Sequence, residues 1–244
     1  CLEVVRMKKM QVWKGSRNMK PLEIKHRVIG GGEPLICVPV VEQDAQSVIR
    51  EITYLSQSTA DMIEWRVDAF RDFTDYNAIR SVFEAVAPLL GEKLFLYTFR
   101  TAHQGGMAQV KAEQLDDLHD LAAESGCVDL VDLEFFEEDR PLHKIKRLRE
   151  MGVSVIASHH DFEQTPSPEV MKMLLEKMCA GGADIVKLAV MPQNYKDVLN
   201  LLDVTAQFRE ENPDTPVITM SMGSLGGISR ISGETFGSCV TFGA

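Results

Sequence analysis

A lysine in the middle of an apolar run is the first residue whose type asks for a chemical reason. Lys187 lies within DIVKLAV, residues 184–190. Lysine is almost never fully buried without a task or a partner. In a dry site an amine gives up its proton more readily and becomes a nucleophile toward a carbonyl. One strand–helix unit earlier, the apolar residues 153–157 (VSVIA) run into Ser158, His159, His160 and Asp161. A histidine at the C-terminal end of a strand is placed for proton transfer near neutral pH. Lys187 and His160 together suggest imine chemistry with an acid–base partner.

Other polar side chains recur at comparable positions. Glu64 and Arg66 are two apart, so both face the same way on a strand, and Thr98 and Arg100 repeat that spacing. Asp132 and Glu134 end another apolar run, Met220 and Met222 share one face of a later one, and Arg230 follows in GGISR. Taken singly, each has a plain structural explanation. Glu64 and Arg66 would form an ion pair, Asp132 and Glu134 would satisfy internal polar groups, and the methionines would pack as wall. His103, His119 and His143 fall in loops or on helices, where solvated surface positions are expected. His159 should point away from His160 on a regular strand. Three arginines, a lysine and a histidine at strand ends nonetheless make an anion-friendly mouth, because burying that many cations for structure alone is costly.

The elements that must position these residues follow from periodicity. β-rich apolar runs at 35–41, 62–66, 94–99, 128–133, 153–158, 185–190, 217–222 and 240–242 give eight strands. Amphipathic helices are expected near 44–58, 76–90, 108–125, 140–151, 167–180 and 195–211, with a short one near 228–236. Strands alternating with helices imply right-handed crossovers and a parallel sheet. Eight strands, the first seven each followed by a helix, fit an α/β fold of the (β/α)8 TIM-barrel type, in which the strands' C-terminal ends carry the site. Residues 22–29 alternate as strand material before a turn at Gly30, Gly31 and Gly32, and are expected to form an N-terminal β-hairpin closing the barrel bottom.

The chain of 244 residues, 45% hydrophobic and 25% charged, suits one globular domain. Residues 19–244 are read as the barrel and residues 1–18, with five basic side chains, as a tail or extension, Met19 being a candidate start. A net charge of −10 argues against nucleic acid as a partner. No apolar run approaches the roughly 20 residues that span a bilayer, so no membrane partner is expected. Five scattered cysteines without a CxxC pair point to neither a metal site nor a disulfide framework, and to a reducing cytoplasm. No Gly-x-Gly-x-x-Gly or Walker motif follows any strand.

At EWRVD (64–68), YTFR (97–100), SHHDF (158–162), VKLAVMPQ (186–193), ITMSM (218–222) and the segment from ISR to TFGA (228–244), the chain resembles the type I 3-dehydroquinate dehydratases. The resemblance runs from about Met19 to Ala244. It implies a Schiff base between Lys187 and the C3 ketone of 3-dehydroquinate. His160 would act as general acid and base in a syn elimination. No cofactor and no metal would be needed, since the protonated imine is itself the electron sink. Arg230 would hold the substrate carboxylate, Glu64, Arg66 and Arg100 the ring hydroxyls, and Met222 and Phe242 would line the apolar wall. A homodimer is implied as well.

The chain departs from the family pattern in three places. Gln104 stands where the family has a glutamate that orients the catalytic histidine, so orientation is kept but charge is lost. His159 stands where an asparagine is common. The family's Ser-Ala-Pro-Gly-Gln lid loop and last helix would follow Ala244, and a chain truly ending there is expected to be a weak enzyme. Two other readings are a lysine-imine aldolase barrel, with the glycine-rich residues 223–227 as a faint phosphate site, and a metabolite-binding relative with little turnover.

Overall fold

The computed structural model describes residues 22–243. Residues 1–18, expected to be a tail, lie outside the described residues.

The barrel strands are β3 (Leu35–Val40), β4 (Met62–Arg66), β5 (Leu94–Thr98), β6 (Leu130–Glu134), β7 (Ser154–Asp161), β8 (Ile185–Val190), β9 (Val217–Ser221) and β10 (Val240–Phe242). They hydrogen-bond in parallel in the order β10-β3-β4-β5-β6-β7-β8-β9. The remaining seam is closed by a single bridge between Val217 and Ser238, supported by Cys239 N–H donating to Val217 O at 2.8 Å. The first six of these strands are each followed by a long helix: α1 (Ala45–Ser56), α2 (Tyr76–Val86), α3 (Ala112–Glu124), α4 (Pro141–Glu150), α5 (Pro168–Ala180) and α6 (Tyr195–Glu211). The short helix expected near 228–236 is two pieces, α7 (Gly227–Ile231) and α8 (Gly233–Phe236). Side-chain caps start α1 at Asp44, α2 at Asp75 and α6 at Asn194, each accepting backbone N–H groups of the first turn.

The hairpin is β1 (Leu22–Ile24) paired antiparallel with β2 (Arg27–Ile29). Its own turn falls at Lys25 and His26, while the three glycines connect it to β3. Lys25 reaches Lys93 O at 2.8 Å and the Asp129 carboxylate at 2.7 Å, and Arg27 reaches Asp61 at 2.7 Å. Those partners precede β5, β6 and β4, so the hairpin covers the N-terminal end of the barrel. Ile29 is buried there against Leu35, Met62, Leu94, Leu130, Ile156, Ile185 and Ile218.

These floor residues belong to the inward-facing set, which recurs every second position. Climbing each strand by two turns apolar into polar: Met62 leads to Glu64 and Arg66, Leu130 to Asp132 and Glu134, Ile156 to Ser158 and His160, and Ile185 to Lys187. The outward-facing set, including Trp65, Tyr97, Val131, Leu133, Val155 and Leu188, packs under the helices in a second, larger core. The sheet therefore delivers its polar residues to one end of one enclosed space.

Three boundaries differ from expectation by three residues or more, one being the end of α2, which stops at Val86 and gives way to a 3-10 turn at Ala87–Leu89. β7 continues three residues further, because His159, His160 and Asp161 stay in the ladder opposite Leu188, Ala189 and Val190. Helix α3 starts at Ala112, not 108, because residues 99–111 form a loop with its own hydrogen bonds.

Candidate active site

Lys187 is 3% exposed, and its Nζ donates to Asp132 Oδ2 at 2.9 Å. The ring of Phe242 lies over the same nitrogen, 4.4 Å from centroid to Nζ. Asp132, fully buried, also accepts from Ser158 Oγ at 2.5 Å and pairs with Arg100 Nη2 at 2.9 Å. Arg100 continues through Nη1 to Glu134 Oε1 at 2.9 Å and Ser158 Oγ at 3.1 Å. A chain of alternating charge thus runs from Lys187 through Asp132 and Arg100 to Glu134. Burial alone would raise the Asp132 carboxyl, but Arg100 and Lys187 hold it well below the usual carboxylate range. For Arg100, burial pulls downward and the Asp132 and Glu134 carboxylates outweigh it, holding the guanidinium above its ordinary value.

His160 is oriented by Gln104. The amide oxygen Oε1 accepts the backbone N–H of His160 at 2.9 Å and faces its Nδ1 at 3.0 Å. A carbonyl oxygen can only accept, so Nδ1 carries the proton and Nε2 keeps its lone pair. Desolvation first, then the Arg100 and Lys187 charges, push the imidazole well below its ordinary 6.5, with Asp132 pulling the other way. His160 is therefore neutral at pH 7 and can accept a proton at Nε2. His159 points away, its ring edge-on to Phe136 at 5.3 Å.

Glu64 and Arg66 both reach the mouth, but the ion pair expected between them does not form. Arg66 is held bidentately by Asp68, Nε to Oδ1 and Nη2 to Oδ2, both at 2.8 Å. Glu64 instead accepts from Thr98 Oγ1 at 2.7 Å. A carboxylate two residues on, in the 3-10 turn Val67–Ala69, meets the guanidinium fork better than its strand neighbour does. Arg230 sits at the rim, with Nη1 donating to Phe242 O at 2.9 Å. Met222 is buried just beyond β9, its N–H donating to Val190 O at 2.8 Å. Among the described residues, no three His, Cys, Asp or Glu side chains come together in a group that could hold a metal ion.

The structure gives partners to all nine residues singled out by sequence: Lys187, His160, Gln104, Glu64, Arg66, Arg100, Arg230, Met222 and Phe242. The acidic half of the site does more than sequence suggested. Asp132 and Glu134 were read as satisfying internal polar groups, and they do so at Ser158 and Thr101, but they also pair with Lys187 and Arg100. Asp68 and Ser158 were assigned no role, although Asp68 lies two residues after Arg66 in the quoted motif. Another correction concerns His119, expected at the surface and found 3% exposed on the apolar stripe of α3 with Leu115, Leu118 and Ala122.

Comparison with known proteins agrees with this geometry. The family model for type I 3-dehydroquinase matches residues 36–244. A 3-dehydroquinate dehydratase of Syntrophotalea carbinolica is 41% identical over 227 residues, covering 93% of this chain and 90% of that protein. One from Listeria welshimeri is 40% identical with the same coverage. Among solved structures, the type I 3-dehydroquinate dehydratase of Clostridium difficile, determined with covalently modified comenic acid, superposes with a TM-score of 0.89 at 38% identity, covering 92% of this chain and 89% of that one. The Geobacillus kaustophilus 3-dehydroquinate dehydratase gives 0.89 at 36% identity, covering 92% and 88%. With the same eight-stranded barrel and a family match that takes in every one of these mouth residues, the chain belongs to the type I 3-dehydroquinases.

Proposed function

We propose that this protein dehydrates 3-dehydroquinate to 3-dehydroshikimate, as a hydro-lyase of the shikimate pathway, through a Schiff base on Lys187. The observation that carries the reading is a buried amine facing the same enclosed mouth as a histidine whose Nδ1 is occupied and whose Nε2 is free. The Lys187 amine adds to the C3 ketone and expels water, leaving a protonated imine. His160 Nε2 takes the C2 proton, and the bonding electrons move into the imine as an enamine. Those electrons return to expel the C1 hydroxyl, which leaves as water with the proton that His160 gives back. Hydrolysis of the imine then releases product and restores the amine.

The surrounding residues divide the remaining work. Asp132 balances the positive charge that Lys187 carries in the protonated imines on either side of the neutral enamine. Arg230 takes the substrate carboxylate, and Glu64, Arg66 and Arg100 the ring hydroxyls. Arg100 spends three N–H donors on Asp132, Glu134 and Ser158. Its side chain is therefore set before a hydroxyl arrives at the remaining two. Phe242 and Met222 wall the reacting carbons from water. The same reading places the protein in the cytoplasm as a homodimer, in keeping with free Cys37, Cys127, Cys179 and Cys239. No helix among the described residues is long and apolar enough to cross a membrane.

Gln104 favours one second reading, a relative that binds the metabolite with little turnover, because an amide cannot stabilise an imidazolium by charge. Borohydride separates the two. Incubation with 3-dehydroquinate and borohydride should trap ligand on the Lys187 peptide, read by mass spectrometry, and Lys187→Ala should trap none. The conjugated product's ultraviolet absorbance should rise in parallel. Binding without adduct or absorbance change would reject the imine mechanism and leave the binding protein.

A further inference from the structure

The loop at residues 99–111 carries Arg100 at its first foot and Gln104 at its crest. One buried carboxylate below it, Asp68, receives four hydrogens. Its Oδ1 accepts from Arg66 Nε at 2.8 Å and from the Arg100 backbone N–H at 3.2 Å. Its Oδ2 accepts from Arg66 Nη2 at 2.8 Å and from the Met107 backbone N–H at 3.0 Å. Asp68 is 3% exposed, so all four donors meet it away from bulk water. One side chain therefore ties an arginine on β4 to both feet of the loop that follows β5.

The rest of the loop leaves little slack between feet and crest. Ala102 N–H donates to Ala108 O at 3.0 Å and Gly106 N–H to Thr101 O at 2.8 Å, narrowing the base. Glu134 takes the Thr101 N–H at 2.9 Å and its hydroxyl at 2.6 Å. At the crest a side chain is excluded on two sides. A Cβ at Gly106 would stand 1.8 Å from Arg100 O, and one at Gly105, where φ is +80°, would stand 2.3 Å from the Phe162 ring. That Phe162 ring in turn stacks on His160, 6.4 Å between centroids at 20°. A shift of the feet has no loose joint to absorb it before reaching Gln104, and Gln104 sets the ring of His160.

We propose that Asp68 is a positioning residue that aligns Arg66 with the Gln104–His160 pair, so that substrate grip and proton transfer are set by one carboxylate. The inference rests on the dehydratase reading above. A merely structural Asp68 would satisfy two loop amides and hold one arginine, and its loss would lower stability or weaken substrate binding alone. A positioning Asp68 also governs the chemical step, through a tautomer it never touches.

Asp68→Asn is the direct test, since the amide is isosteric but offers a single acceptor oxygen and turns two hydrogens toward donors. KM should rise about 10-fold as Arg66 loosens, and kcat should fall about 100-fold as His160 loses its alignment. The pH profile of kcat should change as well. Arg66→Met is the comparison: it removes the arginine but leaves the loop's two amides on Asp68, so KM should rise and kcat should fall less than in Asp68→Asn, with the pH limbs of kcat where the wild type has them. An Asp68→Asn enzyme with raised KM and wild-type kcat and pH profile would overturn the proposal. Amide exchange in the wild-type protein tests the clamp without turnover and without relying on the variant to fold. The Arg100 and Met107 amides should exchange as slowly as those of β5, and free exchange at either would equally overturn it. If the wild type does not dehydrate 3-dehydroquinate, the functional reading fails. The exchange rates and the ring-nitrogen shifts of His160 in Asp68→Asn then decide the role of Asp68 independently.

Discussion

At position 104 an amide accepts the Nδ1–H of His160; a carboxylate there would accept it too, but would add a negative charge and lose the amide hydrogen that Gln104 Nε2 gives Glu137 Oε1 at 3.4 Å. Both would orient the ring, but only a carboxylate would favour its protonated form. Burial first, and then the Arg100 and Lys187 cations, oppose protonation of His160, and Asp132 favours it. The neutral base form should therefore persist well below pH 6.5, and the acid limb of kcat/KM should lie there too. Gln104→Glu raises the pKa of His160, so the base form is lost at a higher pH as acid is added and the acid limb moves upward. A pH–rate series on the two proteins checks this, and identical rates and limbs would show that the charge at 104 is irrelevant. Lys187 and Gln104 stood out in sequence because each departs from what its surroundings lead one to expect, an apolar run for one and a family glutamate for the other. Asp132 did not, because a carboxylate at a strand end has many ordinary uses. Its partner Lys187 is 55 positions away, and only the register of three neighbouring strands brings the two together.

The strand and helix sequence was legible almost throughout, because period-2 and period-3.6 apolar patterns are long in this chain. The misses fall where a loop or a lone polar residue overrides the pattern. Helix α3 reads as starting near 108, yet residues 99–111 are committed to backbone contacts with Asp68 and Glu134. His119 reads as surface, yet it occupies a core position of the same helix, edge-on to Tyr97 at 6.3 Å. Both of its ring nitrogens are buried without a hydrogen-bond partner. Burial, and then the nearby Lys144, lower its pKa from 6.5 to about 4. Between those values the unfolded chain binds a proton that the folded helix refuses, so stability should fall as pH drops from about 6.5 to about 4. The full effect is about 3 kcal/mol. His119→Phe keeps the ring and removes the titration. Urea unfolding at several pH values should show that this part of the acid slope disappears.

Across the whole molecule, the barrel interior separates stability from chemistry by height. The floor, sealed by the hairpin, is apolar, and the charged residues begin one inward position higher. Ile29→Ala should cost about 2–4 kcal/mol through the cavity it leaves. It should lower the urea midpoint while KM stays at the wild-type value, and a large change in KM would contradict the separation. The fold class and the end of the barrel where the charged residues collect could both be read from sequence. The closure of the ring could not, since one bridge at Ser238 and no full ladder joins β9 to β10. The alternation along each inner strand has a further consequence. If β6 paired one residue out of step, Asp132 and Glu134 would face the helices, and Val131 and Leu133 would fill the mouth. No slightly mistaken version of that strand exists, because every side chain changes sides at once. The pattern works as a parity check on assembly: a molecule that turns over has every strand in step, and one that has slipped is silent, never merely slow.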